Sequence, residues 1–207
     1  MVEIVKETVV NGKLKKIEEA VQEALNGGAS AQEVLDSMME AMDEVGAKFQ
    51  KNEIYVPEML VAAKTMQRGV GVLKPLLGGT GTGKFGTFII GTVAGDLHDI
   101  GKNLVAMMVE AAGFNVIDLG IDVPADKFVE AVKANPDCHV VGVSALLTTT
   151  MEAMKVTVTA IKDAGLCSQV KIMVGGAPIT QAFADEIGAD AYTTDAASAA
   201  VKAKELA

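Results

Sequence analysis

The sequence has little of several residue types, and each shortage excludes a class of protein. Among 207 residues there is no tryptophan, and aromatic residues make up only 4%. The two cysteines, Cys138 and Cys167, lie far apart and in no metal-site spacing, so we expect no disulfide framework and a reducing cytoplasm as the location. No apolar run of about 18 residues occurs, so we expect no membrane span. The start of the chain, with Glu3 and Glu7, lacks the pattern of a secretory signal.

Positive charge is also scarce. Lysine and arginine number 18 against 27 acidic residues, which gives a net charge of −9. An acidic chain repels phosphate backbones, so we expect no nucleic-acid partner. Hydrophobic residues make up 50% of the chain, which is long enough for one large domain or two small ones.

Residues 1–80 have the apolar spacing of helices. In 13–25, apolar residues recur every three or four positions, which predicts an amphipathic helix. Ser30 and Glu33 have the spacing of a capping box that opens a second helix. Pro57 stands at the expected start of a third. The sequence therefore predicts a helical bundle of about four helices over 1–80.

Residues 87–207 alternate between short apolar runs and helical segments. A glycine-rich linker at 78–86, GGTGTGKFG, precedes them. The alternation predicts an α/β domain with a parallel sheet covered on both faces, in the flavodoxin-like (Rossmann-type) order 2-1-3-4-5. The five predicted strands are 87–93, 115–119, 140–145, 171–174 and 191–194, and the predicted helices are 101–112, 125–134, 150–164, 180–187 and 196–206.

The linker contains two nucleotide-binding patterns in the wrong context. Gly78 to Lys84 fits G-x-x-x-x-G-K, but Phe85 stands where a magnesium-binding hydroxyl is required. Gly81, Gly83 and Gly86 fit G-x-G-x-x-G. Both patterns need a strand before them and a helix after them, whereas these glycines follow a helix and precede a strand. We expect no nucleotide site there.

The segment that carries chemistry follows the first predicted strand and opens a helix, at the sheet edge where doubly wound domains bind ligands. His98 can offer an imidazole nitrogen to a transition metal, and Asp96 can accept a hydrogen bond from the other ring nitrogen. Gly101 lets the start of the helix pack close to a bulky ligand. A histidine taken alone is more often an ordinary loop residue than a metal ligand, and the residues around His98 are what favour the ligand.

Zinc does not explain this segment, because zinc needs three or four protein ligands and His139 is the only other histidine. A single histidine is enough only for a metal already held by a macrocycle, which leaves haem and cobalamin. The low aromatic content favours cobalamin without deciding between them.

The pattern Asp96-x-His98-x-x-Gly101 resembles the cobalamin-binding signature of the methionine synthase cobalamin domain and of the corrinoid proteins of anaerobic methyltransferase systems. Ser144-Ala145-Leu146, at the end of the third predicted strand, resembles the family's Ser-x-Leu. Gly175-Gly176-Ala177 resembles its Gly-Gly loop, and the helical first half resembles its methylcobalamin cap.

The resemblance implies that the cofactor's own base leaves cobalt and that His98 replaces it. Asp96 would hold His98, and Thr150 would complete a relay that tunes the strength of the ligand. A slot for the displaced nucleotide tail would follow, although the glycines are equally explained by a tight loop and Ser144 by a hydroxyl bonded to backbone. The residues implied in cofactor binding are Asp96, Leu97, His98, Asp99, Ile100, Gly101, Ser144, Leu146, Thr148, Gly175, Gly176, Ala177, Thr193 and Asp195.

The same resemblance implies that the bundle covers the upper face of cobalt. Met59, Leu60 and Ala63 are the candidates, although a stripe of this kind is more often bundle core. The linker at 78–86 is the expected hinge for cap movement.

The implied function is that of a carrier, inactive alone, which moves a methyl group on cobalamin. The implied partners are a substrate:corrinoid methyltransferase, a second methyltransferase that methylates tetrahydrofolate or a thiol, and a reductive activator. A cobalamin-binding sensor and a mutase cobalamin subunit are the alternatives. The first usually has a signalling segment and the second usually lacks the helical cap. A receiver domain is disfavoured, because Ser144 and Ala145 stand where its phosphoacceptor aspartate is required.

Overall fold

The structure, a computed structural model, describes residues 2–73, 75–76 and 84–207. It divides into two compact units. The first takes in the chain up to Lys84 together with Glu110–Gly113, and the second takes in Phe85–Val109 and Phe114–Ala207. Most of the predicted linker, residues 78–83 of 78–86, lies outside the described residues, so the hinge expected there remains a prediction.

The first unit is a bundle of α-helices, as the sequence predicts. Ser30 caps its longest helix with a capping box, since its hydroxyl accepts a hydrogen bond from the Glu33 amide and the Glu33 carboxylate accepts one from the Ser30 amide. Pro57 lies in the first turn of the fourth helix, where its missing N–H is not needed. The helices are α1 (Val2–Val10), α2 (Ile17–Asn26), α3 (Ala31–Gln50) and α4 (Val56–Leu73).

The second unit is a five-stranded parallel sheet flanked by helices, in the order β2-β1-β3-β4-β5. This order confirms the predicted fold class. The strands are β1 (Thr87–Thr92), β2 (Asn115–Asp118), β3 (Cys138–Ser144), β4 (Lys171–Gly175) and β5 (Ala191–Tyr192), and the helices are α5 (Ile100–Ala111), α6 (Ala125–Ala134), α7 (Met151–Asp163), α8 (Gln181–Ile187) and α9 (Ala196–Leu206).

The register of the sheet brings three strand ends together. Thr92 of β1 pairs with Ser144 of β3, and Ser144 pairs with Gly175 of β4. The loops that carry His98, Leu146 and Gly176 therefore leave the sheet from one edge. All of β1 is buried, so the strand that leads to this edge lies in the interior of the unit. Among the described residues, no helix is long and apolar enough to cross a membrane.

Candidate cofactor site

Asp96 is the centre of the hydrogen-bond network at the ends of β1 and β3. Its side chain is fully buried. One carboxylate oxygen, Oδ1, accepts from the backbone N–H of His98 at 3.0 Å. The other, Oδ2, accepts from the backbone N–H of Leu146 at 2.7 Å and from the Thr150 hydroxyl at 2.8 Å. Burial raises the pKa of Asp96, but these hydrogen bonds outweigh it and hold the pKa well below the usual range for an aspartate.

The same carboxylate orients the ring of His98. Nδ1 of His98 lies 2.8 Å from Oδ1 of Asp96. An ionised carboxylate can only accept, so in the neutral imidazole Nδ1 carries the proton and Nε2 has a free lone pair. The side chain of His98 is 50% exposed. Thr92 fixes the loop further, because its hydroxyl donates to the backbone carbonyl of His98 at 2.9 Å. The ring is therefore held in the tautomer that can bind a metal through Nε2.

Thr150 and His98 bind opposite oxygens of one buried carboxylate, so the structure brings together the three residues of the expected relay. The Thr150 hydroxyl also lies 3.0 Å from the carbonyl of Leu147. A hydroxyl has one proton, so Thr150 can donate to Asp96 or to Leu147 at a given moment.

Large apolar side chains are exposed around His98. Leu97 is 68% exposed and Ile100 is 76% exposed, while Leu146 and Leu147 are also exposed at the end of β3. A Cβ built on Gly101 would meet nothing within 4 Å, so the first turn of α5 presents open space. Apolar side chains clustered on a surface mark a binding site for an apolar ligand.

Of the two glycines at the end of β4, the backbone conformation requires Gly176 but not Gly175. Gly176 has φ +136°, and a Cβ there would lie 1.7 Å from the carbonyl oxygen of Ala145. The tight-loop interpretation therefore explains Gly176. At Gly175 a Cβ would meet only the Thr193 carbonyl, at 3.6 Å, which is ordinary contact. Ala177 is exposed beside them.

The other predicted residues of the slot lie on the same edge in different settings. Ser144 is half-buried at the end of β3, and Thr148 is exposed in the turn that follows. Asp195 caps helix α9, because its carboxylate accepts from the Ser198 backbone N–H and from the Ser198 hydroxyl, both at 2.8 Å. The sequence interpretation missed this cap. Asp99 accepts a hydrogen bond from the side chain of Asn103 at 3.1 Å.

Comparison with known proteins identifies the ligand class. A family model described as a B12 binding domain matches residues 86–202, and a second model with the same description matches residues 2–74. The chain belongs to the B12-binding corrinoid proteins. Its cofactor is therefore cobalamin, a cobalt ion held in a corrin ring.

Corrinoid proteins of known name resemble it along most of their length. It is 42% identical to dimethylamine corrinoid protein 3 of Methanosarcina acetivorans, over 98% of this chain and 94% of that protein. It is 44% identical to the trimethylamine corrinoid protein of Methanosarcina barkeri, over 96% and 93%. In the crystal structure of the methanol:cobalamin methyltransferase complex from Methanosarcina barkeri, one chain matches with a TM-score of 0.86 at 30% identity, covering 97% of this chain and 77% of that one.

The residues at the sheet edge of this corrinoid protein fit a corrin. Within the described ranges, no group of three or more His, Cys, Asp or Glu side chains could hold a bare metal ion. A metal that arrives already held in a corrin would need no such group, and the oriented Nε2 of His98 is a single nitrogen that could hold it. The exposed Leu97, Ile100 and Leu146 offer apolar contacts, and the open space at Gly101 leaves room for a ring.

The cap candidates lie on α4 of the bundle. Met59 and Ala63 are buried, with exposures of 1% and 0%, and Leu60 is half-buried. Their contact with the upper face of the cofactor stays a prediction.

Two contacts beside the site were missed from the sequence. Lys102 is only 3% exposed, and its ammonium pairs with Asp118 and donates to Asn103 at 2.6 Å. Asp122 binds the loop of Asp96. The one sequence feature that could have indicated a buried Lys102 is its position directly after Gly101 at the start of a helix. Nothing in the sequence indicated the partner of Asp122.

Proposed function

We propose that this corrinoid protein is a methyl carrier. It would receive a methyl group from a substrate:corrinoid methyltransferase and give it to a second methyltransferase, one that methylates tetrahydrofolate or a thiol. Three findings support the proposal: a B12-binding model over each part of the chain, relatives named as methylamine corrinoid proteins, and a similar chain in a methanol:cobalamin methyltransferase complex. These findings favour a carrier over a sensor or a mutase subunit.

The contact between Asp96 and His98 is the observation that carries the proposed binding mode. We propose that Nε2 of His98 is the lower ligand of cobalt and takes the place of the cofactor's own base. Asp96 keeps the proton on Nδ1, because its pKa is held low and it remains ionised. Thr150 donates to the second oxygen of Asp96 and so stabilises that ionised form. The three residues together keep Nε2 a ligand of fixed orientation and strength.

Cobalt in cobalamin supplies the chemistry of accepting and releasing a methyl group, and the protein supplies binding, orientation and shielding. In the proposed arrangement Leu97, Asp99, Ile100 and Gly101 would contact the corrin. The nucleotide tail would occupy a slot formed by the ends of β3, β4 and β5, whose candidate residues are Ser144, Leu146, Thr148, Gly175, Gly176, Ala177, Thr193 and Asp195.

We propose that the bundle excludes water from the upper face of the cofactor, with Met59, Leu60 and Ala63 as the contact residues. The chain would be inactive alone, because the partner enzymes select donor and acceptor. A reductive activator would return oxidised cobalt to its active state. The names of the relatives, dimethylamine and trimethylamine corrinoid proteins, make methylamines the first donors to test.

The experiment that tests the carrier role uses the chain loaded with cobalamin and reduced. It is incubated with a dimethylamine- or trimethylamine-specific methyltransferase and the matching donor labelled in its methyl carbon. The proposal expects label on the protein-bound cofactor, in up to one equivalent, and none when either protein is omitted. Complete turnover from donor to methylated acceptor by this chain alone would contradict a carrier. A radical rearrangement with a barrel-type partner would support the mutase alternative.

A further inference from the structure

The loop between β2 and α6, residues 119–124, runs beside the loop that carries Asp96 and His98. The backbone N–H of Thr92 donates to the carbonyl of Gly120 at 3.0 Å, and the N–H of Val123 donates to the carbonyl of Thr92 at 2.9 Å. Val93 and Val123 form an isolated parallel bridge. The backbone of the cofactor loop is therefore paired with 119–124 beyond the end of β1.

Asp122 makes two hydrogen bonds to the loop that carries Asp96 and His98. Its carboxylate Oδ1 accepts a hydrogen bond from the backbone N–H of Gly95 at 2.7 Å. Its own backbone N–H donates to the carbonyl of Asp96 at 3.0 Å. The N–H of Asp96 donates in turn to the carbonyl of Val93 at 3.1 Å. Both backbone groups of Asp96 are thus paired, so the main chain from which its carboxylate extends is fixed by these contacts.

The conformation of Asp122 indicates that the surroundings impose it. Its φ is +53°, in the left-handed region that non-glycine residues seldom occupy. Gly95, its partner, has φ +79°. A residue other than glycine keeps such a φ only where neighbouring contacts hold it, although aspartate tolerates it better than most.

The loop formed by residues 119–124 is itself held to helix α5. Oδ1 of Asp118 accepts from the backbone N–H of Gly120 at 2.8 Å, and Oδ2 pairs with the buried ammonium of Lys102. Lys102 lies in the first turn of α5, next to Gly101. The loop that holds the Asp96 backbone is therefore fixed at its start by a nearly buried cation.

We propose that Asp122 is a positioning residue for the cobalt ligand. It fixes the main chain at Gly95 and Asp96, so that the Asp96 carboxylate stays directed at Nδ1 of His98. Asp122 touches neither His98 nor any group of the cofactor by this proposal, and acts only through Asp96. The inference rests on the proposed role of His98 as the lower ligand.

Two substitutions separate the carboxylate from the backbone. Asp122→Gly keeps the N–H that donates to Asp96 and removes the left-handed strain, but it removes the acceptor for Gly95. Asp122→Asn keeps an acceptor oxygen and tolerates the same φ. Asp126→Ala is the matched control, since the Asp126 carboxylate accepts from Lys127 in its own helix.

The first readout needs no cofactor. Hydrogen exchange of the Gly95 amide, followed by NMR, should be about tenfold faster in Asp122→Gly, since exchange reports local opening. Asp122→Asn should stay within about threefold of the parent, because a neutral acceptor is weaker than a carboxylate but still present. Asp126→Ala should not change it.

The second readout is the share of bound corrinoid that shows nitrogen hyperfine splitting in the cobalt(II) state, measured with a corrinoid that lacks its own base. Asp122→Gly should lower this share and weaken corrinoid affinity on the order of tenfold, the lower end of the loss seen when a ligand-orienting contact is removed. A thermal unfolding curve shows whether the variant remains folded at the assay temperature. A general loss of stability would not lower the ligated share in folded, corrinoid-bound protein.

The inference is supported if Asp122→Gly changes both readouts while Asp122→Asn stays close to the parent in both. It is overturned if Asp122→Gly behaves as Asp126→Ala does, or if the Gly95 amide exchanges faster while the splitting is unchanged. A different result would overturn the assignment of His98 as the cobalt ligand. In that case His98→Ala leaves the splitting of the parent intact, whatever Asp122→Gly does.

Discussion

Nδ1 of His98 lies 2.8 Å from Oδ1 of Asp96, and the two side chains differ sharply in burial, since His98 is 50% exposed and Asp96 is fully buried. The pair therefore links the surface of the sheet edge to its interior. The orientation of an exposed metal ligand is set by a carboxylate that solvent does not reach.

Asp96→Asn should lower stability and change its dependence on pH. An amide would direct N–H donors at groups that already donate, which costs about 1–3 kcal/mol for each buried group left unsatisfied. The pKa of Asp96 is below its usual value in the folded state, so its contribution is full above the unfolded pKa of about 4 and is lost as pH falls further. Urea unfolding between pH 7 and pH 2.5 checks this.

The parent protein should lose stability more steeply than Asp96→Asn as pH falls below about 4. Asp163→Asn, an exposed position at the end of α7, is the control and should follow the parent. Equal slopes for the parent and Asp96→Asn would show that the buried carboxylate does not carry the acid dependence.

Thr150→Val should weaken the network while Thr150→Ser preserves it. Valine has nearly the same shape but removes the hydroxyl that donates to Asp96 at 2.8 Å, at an expected cost of about 1–2 kcal/mol. Serine keeps the hydroxyl. Equilibrium urea unfolding measures the cost, and the cobalt(II) spectrum of the loaded variants measures the effect on ligation. A valine variant as stable as the serine variant would remove Thr150 from the relay.

Gly176→Ala and Gly175→Ala should behave differently although they are neighbours. At Gly176 the new Cβ would lie 1.7 Å from the Ala145 carbonyl oxygen in a left-handed conformation, so we expect a loss of about 2 kcal/mol or more. At Gly175 the new Cβ lies in ordinary contact, so stability should stay within about 0.5 kcal/mol of the parent.

The affinity for corrinoid tests whether Gly175 has a role in cofactor binding. If the nucleotide tail runs against Gly175, Gly175→Ala should weaken binding in a spectral titration without a change in stability. An unchanged affinity in Gly175→Ala would move the tail away from this glycine and leave only the tight loop at Gly176.

Ile100→Ser should weaken corrinoid binding and leave the free protein as stable as before. Ile100 is 76% exposed, so the free protein gains little from its side chain. Covering it with a corrin would be worth about 1.5–3 kcal/mol, which corresponds to roughly a tenfold to hundredfold change in affinity. Val156→Ser is the control, because Val156 is 52% exposed on α7 and lies outside the predicted site. Equal affinities in the two variants would exclude Ile100 from the corrin surface.

The sequence predicted most of the fold because its signals were local and consistent. The strand order followed from the alternation of apolar runs and helices, and the observed order confirms it. The spacing of Ser30 and Glu33 alone predicted the start of helix α3, and the structure has a capping box there. The contacts of Asp96 with His98 and Thr150 were expected from the resemblance, and the structure places all three together.

The contacts that the sequence could not predict join segments far apart in the chain. Asp122 meets Gly95 across 27 positions, and Lys102 meets Asp118 across 16, with no periodicity to pair them. Asp195 was assigned to the cofactor slot because it follows a strand, yet its carboxylate caps the next helix. Both uses satisfy the same sequence pattern, and only the contact with Ser198 reveals the cap.

The most direct test of the central claim is electron paramagnetic resonance of the loaded protein in the cobalt(II) state, with a corrinoid that lacks its own base, beside His98→Ala. His139→Ala is the matched control, since His139 is the only other histidine in the chain. Nitrogen hyperfine splitting that is present in the parent and in His139→Ala, and absent in His98→Ala, is the predicted result. Splitting that survives in His98→Ala, or a parent protein that binds no corrinoid, would contradict the assignment of His98 as the cobalt ligand.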